Sequence, residues 1–305
     1  MTFADAAAGR GRPSGERRRA PPHRPAPALR LRWREPSVLP GFSLSLGVTL
    51  AYLAAIVLIP LAALALKPWT LGVGGVWDAL TQPRALAALR LSFGASALAA
   101  LINAPLGLLI AWVLVRYQFP GRRLVDALVD LPFALPTAVA GIALTALYVP
   151  TGPLGALAAH LGIKVAYTPL GIFIALLFIG LPFVVRQLQP VLAEVDHEVE
   201  EAAMTLGATT FQRFWRVILP AIAPALLSGV SLAFARAVGE YGSVIFIAGN
   251  LPGVTEIAPL FIVIKLEQFD YAGAAAIGLA MVVISFGCLV AMSAAQMLIA
   301  RRGRA

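Results

Sequence analysis

Leu91–Val115 reads LSFGASALAALINAPLGLLIAWVLV, 25 residues without one Asp, Glu, Lys or Arg, bounded by Arg90 and Arg116. A hydrocarbon core of ~30 Å is crossed by about 20 apolar residues in a helix, because only an internally bonded backbone is tolerated there. The run is therefore a membrane span, and the same test finds others on either side of it. Leu46–Leu66, Leu131–Val149, Ala166–Val185 and Ala272–Ala300 are equally free of charge. A further span runs from near Pro220 to near Ile247, with Arg236 and Glu240 inside it. The expectation is an all-α integral membrane protein of six transmembrane helices. Composition agrees: 59% of the 305 residues are hydrophobic, 13% are charged and mean hydropathy is +0.84. That is more apolar surface than a soluble interior of this size hides.

The net charge of +9 is carried by the N-terminal tail and by short gaps between apolar runs. No continuous basic face results, so the partner of this charge is membrane lipid and not nucleic acid. Arg32 and Arg34 precede the first span, and Arg116, Arg122 and Arg123 follow the second. Arg186, Arg213 and Arg216 follow the fourth, and Arg301, Arg302 and Arg304 close the chain. The intervening loops are poorer, holding Lys67 and Arg84, then Lys164, then Lys265. Positive residues mark the cytoplasmic side, so both termini are read as cytoplasmic, which requires an even number of spans. Residues 1–40, rich in Arg, Pro and Ala, read as a disordered basic cytoplasmic tail. Residues 41–305 form the transmembrane domain. An organelle transit peptide ranks second for the tail, whose Ser content is low, and no short apolar segment with a cleavage site marks a secretory signal.

Cys288 is the only cysteine and lies in an apolar run, which suits a packed thiol. His23, His160 and His197 all lie outside the spans. No metal, cofactor or catalytic cluster is expected, and the chain is not read as an enzyme. Ile257–Ile264 is apolar but too short to span, and is read as an external re-entrant or surface helix between the fifth and sixth spans. The third span contains Pro132 and Pro136, followed by Thr137; prolines free backbone carbonyls that a neighbour or a water-filled path must satisfy. Pro136 and Thr137 are therefore candidates for a translocation path, with a kinked structural helix as the alternative. Arg236 and Glu240, four residues apart, meet on one helical face, either as a structural ion pair or as pathway residues.

The loop at about 186–219 is too short for a domain and too apolar for a linker. Val195, Val199, Ala202 and Leu206 fall at helical spacing, with Glu194, Asp196, Glu198, Glu200 and Glu201 crowding the first turns. Gly207 closes this helix as a left-handed cap. Thr209 and Gln212 stand in capping-box relation and open a second short helix that presents Phe211, Phe214 and Trp215. These rings either lie at the lipid interface or dock into a groove of a soluble partner.

Glu201-Ala202-Ala203, three residues, Gly207, nine residues, then Val217 two residues before Leu219-Pro220 resembles the EAA loop of ABC importer permeases. Val217 replaces the Ile of that pattern. The stretches from Leu131 to Gly141 and from Ala235 to Asn250, with Glu256–Pro259 and Lys265–Tyr271, are similar to the T-type subunits of sulfate/thiosulfate permeases. The resemblance covers nearly all of 41–300. It implies a type I ABC importer permease fold and a coupling role for Glu201, Ala202, Ala203, Gly207 and Phe211 against an ATPase subunit. It also implies a homologous W-type permease as heterodimer partner, two ATPase subunits, an external sulfate-binding protein, and a bacterial inner membrane. Related molybdate or tungstate permeases are the alternative within the class. No G-x-x-x-x-G-K-[ST] occurs, so ATP hydrolysis is expected on a partner chain. An ion-coupled secondary transporter would also carry broken helices and intramembrane charge, but leaves the EAA-like loop unexplained.

Overall fold

The structure is a computed structural model and describes residues 42–302. The tail expected at residues 1–40 lies outside the described residues. The chain divides into two units, Met1–Tyr52 and Leu53–Ala305. The described part of the first is helical, the opening of α1 (Phe42–Leu53), and its apolar side chains are exposed.

In chain order the remaining helices are α2 (Ile59–Leu66), α3 (Gly72–Thr81), α4 (Pro83–Arg116), α5 (Arg122–Val129), α6 (Leu131–Ala134), α7 (Thr137–Tyr148) and α8 (Pro153–His160). There follow α9 (Pro169–Glu194), α10 (His197–Thr205), α11 (Thr210–Arg213), α12 (Leu219–Val238), α13 (Val244–Ala248), α14 (Ala258–Glu267) and α15 (Tyr271–Arg302). Among the described residues, five helical stretches are long and apolar enough to cross a membrane: Leu44–Thr81, Pro83–Arg116, Pro169–Glu194, Thr210–Val238 and Tyr271–Met297. A sixth meets the same test if α7 and α8, which bend by 44° at their break, count as one span.

Two expected spans are therefore corrected. The run Leu131–Val149 is not one helix, because Leu135 and Pro136 are extended, as a residue before proline prefers. Pro136 instead is the N-cap of α7, where its missing N–H costs nothing. The fifth span begins earlier and ends earlier than expected: helix is continuous from Thr210, through a widened turn at Phe214–Ile218, and stops at Val238.

The core of the second unit is the packing of α4, α9 and α12. Between spans there is little hydrophobic driving force, since lipid is as apolar as Leu, so close van der Waals contact decides. Small residues supply it. A Cβ on Gly107 would lie 2.7 Å from Cβ of Val184, and one on Gly180 would lie 2.6 Å from Nδ2 of Asn103. Asn103, fully buried, donates that amide to the carbonyl of Leu177 at 3.1 Å. Leu101, Leu109, Val283 and Phe286 are exposed on the outer faces, as lipid-facing residues should be.

The short run read as a re-entrant or surface helix is α14, packed against α4 and α15 with Ala258, Leu260 and Phe261 buried. Its entry is fixed from α4: Ser92 Oγ accepts the Ala258 N–H at 2.8 Å, and Arg84 grips the buried Glu256 carboxylate with Nε and Nη2, both at 2.7 Å. Its exit is fixed by Asp270, the N-cap of α15, which accepts from Lys265 Nζ and from the Gly273 N–H, each at 2.9 Å. The Lys265 ammonium first, and that N–H second, hold the Asp270 carboxyl below the usual aspartate range. A depressed folded value means that its stabilisation is complete above the unfolded value of about 3.9 and is lost as pH falls through the folded one. Asp270→Ala is expected to destabilise the solubilised protein by about 1 kcal/mol at neutral pH. In thermal melts this difference from wild type should shrink progressively as pH falls below the unfolded value of about 3.9.

Candidate functional site

The helix-turn-helix of the loop is built as its sequence directs. Asp196 caps α10 by accepting the Glu198 N–H at 2.9 Å, and Glu198 and Glu200 sit in the first turn. Gly207 takes φ +81°; its N–H bonds Met204 O at 2.9 Å and the Ala208 N–H bonds Ala203 O at 3.0 Å, which together form a Schellman cap. Thr209 and Gln212 form the reciprocal capping box, at 3.3 and 3.0 Å. Val195 is extended and precedes the cap, so it is not part of the helical face expected of it. The second short helix is corrected as well. Residues 210–213 run on through the π-turn into α12, with the Leu219 N–H reaching five residues back to Phe214 O. Pro220, having no N–H to return to Arg216, favours this widened turn.

This turn is tied to α4 by contacts that the sequence did not show. Arg116 Nη2 meets Glu200 Oε1 at 2.5 Å, both side chains being mostly buried. The Arg116 guanidinium lies 5.3 Å from the Trp112 ring centroid, and Trp112 packs edge-on to Phe214. The opposite side of the turn is open: Glu201 and Ala202 are exposed, Ala203 is half-buried, and Leu206 and Phe211 are 88% and 71% exposed. Val199, Met204 and Trp215 extend this apolar surface.

The second group of expected residues converges where α12 ends. Arg236 is in the last turn, where a cation suits the helix dipole. The spacing led to the expectation that Glu240 shares this helix, but it lies past the C-cap Gly239 and folds back to Arg236 Nη1 at 2.5 Å. Its other oxygen accepts the Ser243 N–H at 2.9 Å and the Ser243 hydroxyl at 3.0 Å. The Glu240 side chain is 2% exposed and that of Arg236 35%. The start of α7 rests on this turn: a Cβ on Gly242 would lie 3.0 Å from Cβ of Thr137, and one on Gly141 would lie 2.8 Å from Cα of Ser243. Thr137 is thus brought to the Glu240 turn, whereas Pro136 is exposed.

A third cluster joins α5 to α9. Arg186 donates from Nε to Asp130 Oδ1 (2.8 Å) and from Nη2 to Asp130 Oδ2 (2.5 Å) and the Asp126 carbonyl (2.9 Å). Its Nη1 reaches Asp126 Oδ1 (2.7 Å) and Gln189 Oε1 (2.5 Å). The Gln189 amide and then Arg186 hold the Asp126 carboxyl below its usual range. Among the described residues no group of His, Cys, Asp and Glu could hold a metal ion.

Long apolar helices, a third span broken at Pro136, a capped helix-turn-helix with an open apolar side and an ion pair at the end of α12 define a polytopic membrane protein. Residues 103–304 match the model of binding-protein-dependent transport system inner membrane components, and the chain belongs to that family. It is 48% identical over 265 residues to the sulfate transport system permease protein CysT of Salmonella typhimurium, covering 87% of this chain and 96% of that one. It is 50% identical over 249 residues to CysT of Synechocystis sp., covering 82% and 87%. The fold is that of a chain in the crystal structure of a bacterial ABC transporter involved in the import of the acidic polysaccharide alginate, with a TM-score of 0.70 at 15% identity over 85% of this chain and 95% of that one. The chain is a multi-pass inner-membrane permease subunit of an ABC-type importer and is not itself the catalytic subunit.

The Arg236–Glu240 pair is asymmetric, which predicts how its variants differ. Glu240→Gln removes the charge that faces Arg236 inside an enclosed pocket and is expected to destabilise the permease by about 1–3 kcal/mol. Exchanging the two charges should not restore it, because the two Ser243 donors would then face a cation. Assembly yield and thermal stability after affinity purification measure both.

Proposed function

We propose that this chain forms half of a pore for sulfate or thiosulfate in a bacterial inner membrane, with both termini cytoplasmic. It pairs with a homologous W-type permease, takes its cargo from an external sulfate-binding protein and is driven by two ATPase subunits. The cargo rests on likeness over 96% of the length of a protein described as a sulfate transport permease. On that likeness sulfate is preferred to molybdate, and a gradient-driven transporter does not fit the family. The ATPase contact rests on one observation: the α10–α11 turn is capped at every end, yet leaves Leu206 and Phe211 uncovered. Glu201, Ala202, Ala203, Gly207 and Phe211 form the docking surface. Ala202 and Ala203 allow close approach, and Phe211 is the anchor.

In the path, Arg236 offers a dianion a transient attraction while its pairing with Glu240 keeps the site from becoming a trap. Thr137 and Pro136 line the break beside it. Selectivity then resides mainly in the receptor.

Nothing lies within 4 Å of a Cβ added at Gly207, so Asp there meets only the backbone cost of positive φ, about 1 kcal/mol. Gly207→Asp and Glu201→Lys should therefore leave the permease in the membrane while ATP hydrolysis stimulated by loaded receptor falls. Undiminished stimulation in both variants would refute the docking surface. For the cargo, cells lacking the chain should lose uptake of labelled sulfate and grow only on reduced sulfur. Normal sulfate uptake with lost molybdenum-enzyme activity would replace sulfate by molybdate.

A further inference from the structure

The Arg186 cluster has more geometry than its stability contribution explains. All five guanidinium N–H groups are used, by two carboxylates, one backbone carbonyl and one side-chain amide. The side chains of Arg186, Asp126 and Asp130 are 30%, 43% and 47% exposed. Ion pairs so exposed contribute little to stability. A guanidinium fork saturated in this way instead fixes one orientation of the elements it joins.

Those elements lie between the two candidate sites. Eight residues after Arg186, α9 ends at Glu194, and α10 opens at His197. Across the cluster, Asp130 caps α6, its carbonyl accepting the Phe133 N–H at 2.9 Å. Beyond α6 come extended Leu135 and Pro136, then Thr137 seated on Gly242 beside the Glu240 turn.

We infer that Arg186 is a positioning residue that carries movement of the α10 turn, through α9, to the broken third span and so to the Arg236–Glu240 turn. The inference rests on the coupling role proposed for α10. It makes Arg186 necessary for converting ATP hydrolysis into transport, without contact with ATPase or cargo.

The test uses the whole complex, isolated through a tag on this chain and reconstituted in vesicles with its receptor. ATP hydrolysis and labelled-sulfate uptake are measured on the same preparation. Arg186→Lys keeps the charge but not the fork. The expected result is an assembled complex with ATP turnover near wild type and sulfate moved per ATP reduced about fivefold or more, the lower end of ordinary coupling between sites. A ratio equal to wild type, including the case where both activities fall in proportion, overturns the inference and leaves a structural brace. If Arg186→Lys does not assemble, Asp130→Asn, which keeps the Asp126 and Gln189 contacts, is scored identically; failure of both to assemble also overturns it. Gly207→Asp is run in parallel. If it uncouples while Arg186→Lys does not, only the present inference falls. If Gly207→Asp leaves the ratio unchanged, the docking surface itself falls.

Discussion

A backbone amide left without a partner in hydrocarbon costs several kcal/mol, and this constraint shapes the stretch between α12 and α14, where the chain departs from helix beside a span. Side chains stand in for the missing helical partner. Glu240 takes the Ser243 N–H, Thr255 Oγ1 takes the Leu251 N–H, and Ser92 Oγ, from another helix, takes the Ala258 N–H. Carbonyls are served likewise: the Asn250 amide donates to Ile245 O, and the Tyr167 N–H to Ile247 O. The segment from Gly239 to Ile257, which a helical span would leave no room for, is thereby tolerable between spans. Non-helical backbone at membrane depth is permitted where protein covers it or a water-filled path meets it. The Glu240 turn, with a buried carboxylate and a partly exposed guanidinium, fits that boundary.

The existence of the spans was legible because it depends only on length and the absence of charge, as at Leu91–Val115. The caps of the α10–α11 turn were legible for a similar reason: Asp196, Gly207, Thr209 and Gln212 act within a few residues of themselves. What stayed hidden is what depends on distant partners. Arg186 read as a topological charge because its carboxylates lie 56 and 60 residues away. Glu200 read as a helix-dipole residue because Arg116 is 84 residues from it. Even the correct pairing of Arg236 with Glu240 was expected for the wrong reason. Helical spacing would place both on one continuous face, but the helix stops at Val238 and the turn carries Glu240 back. Prolines gave a partial signal: Pro136 announced a break without showing that Gly242 and Ser243 would support it.

Two of the ion pairs share one construction, which explains why the arginine rather than the carboxylate is the available group, and a third departs from it. In Arg84–Glu256 and Arg236–Glu240 the carboxylate is enclosed, at 0% and 2% exposure, while the guanidinium reaches the rim. In Arg116–Glu200 both are nearly enclosed, and an aromatic face covers the cation. A carboxylate is compact and is satisfied by two or three donors, so a short turn can surround it. A guanidinium has five donors on a long apolar stem and keeps its head toward polar surroundings. A buried carboxylate therefore fixes where its arginine points, and the arginine retains donors for another ligand. At Arg84 the fork on Glu256 and the stacking on the Phe261 ring pin α14 to α4. At Arg236 the same construction sits beside the broken third span, so a positive group is held in place without becoming an isolated charge. An isolated guanidinium would bind a dianion more tightly and release it more slowly. In the path proposed for this chain, the paired one would keep the attraction shallow, as release in every transport cycle requires.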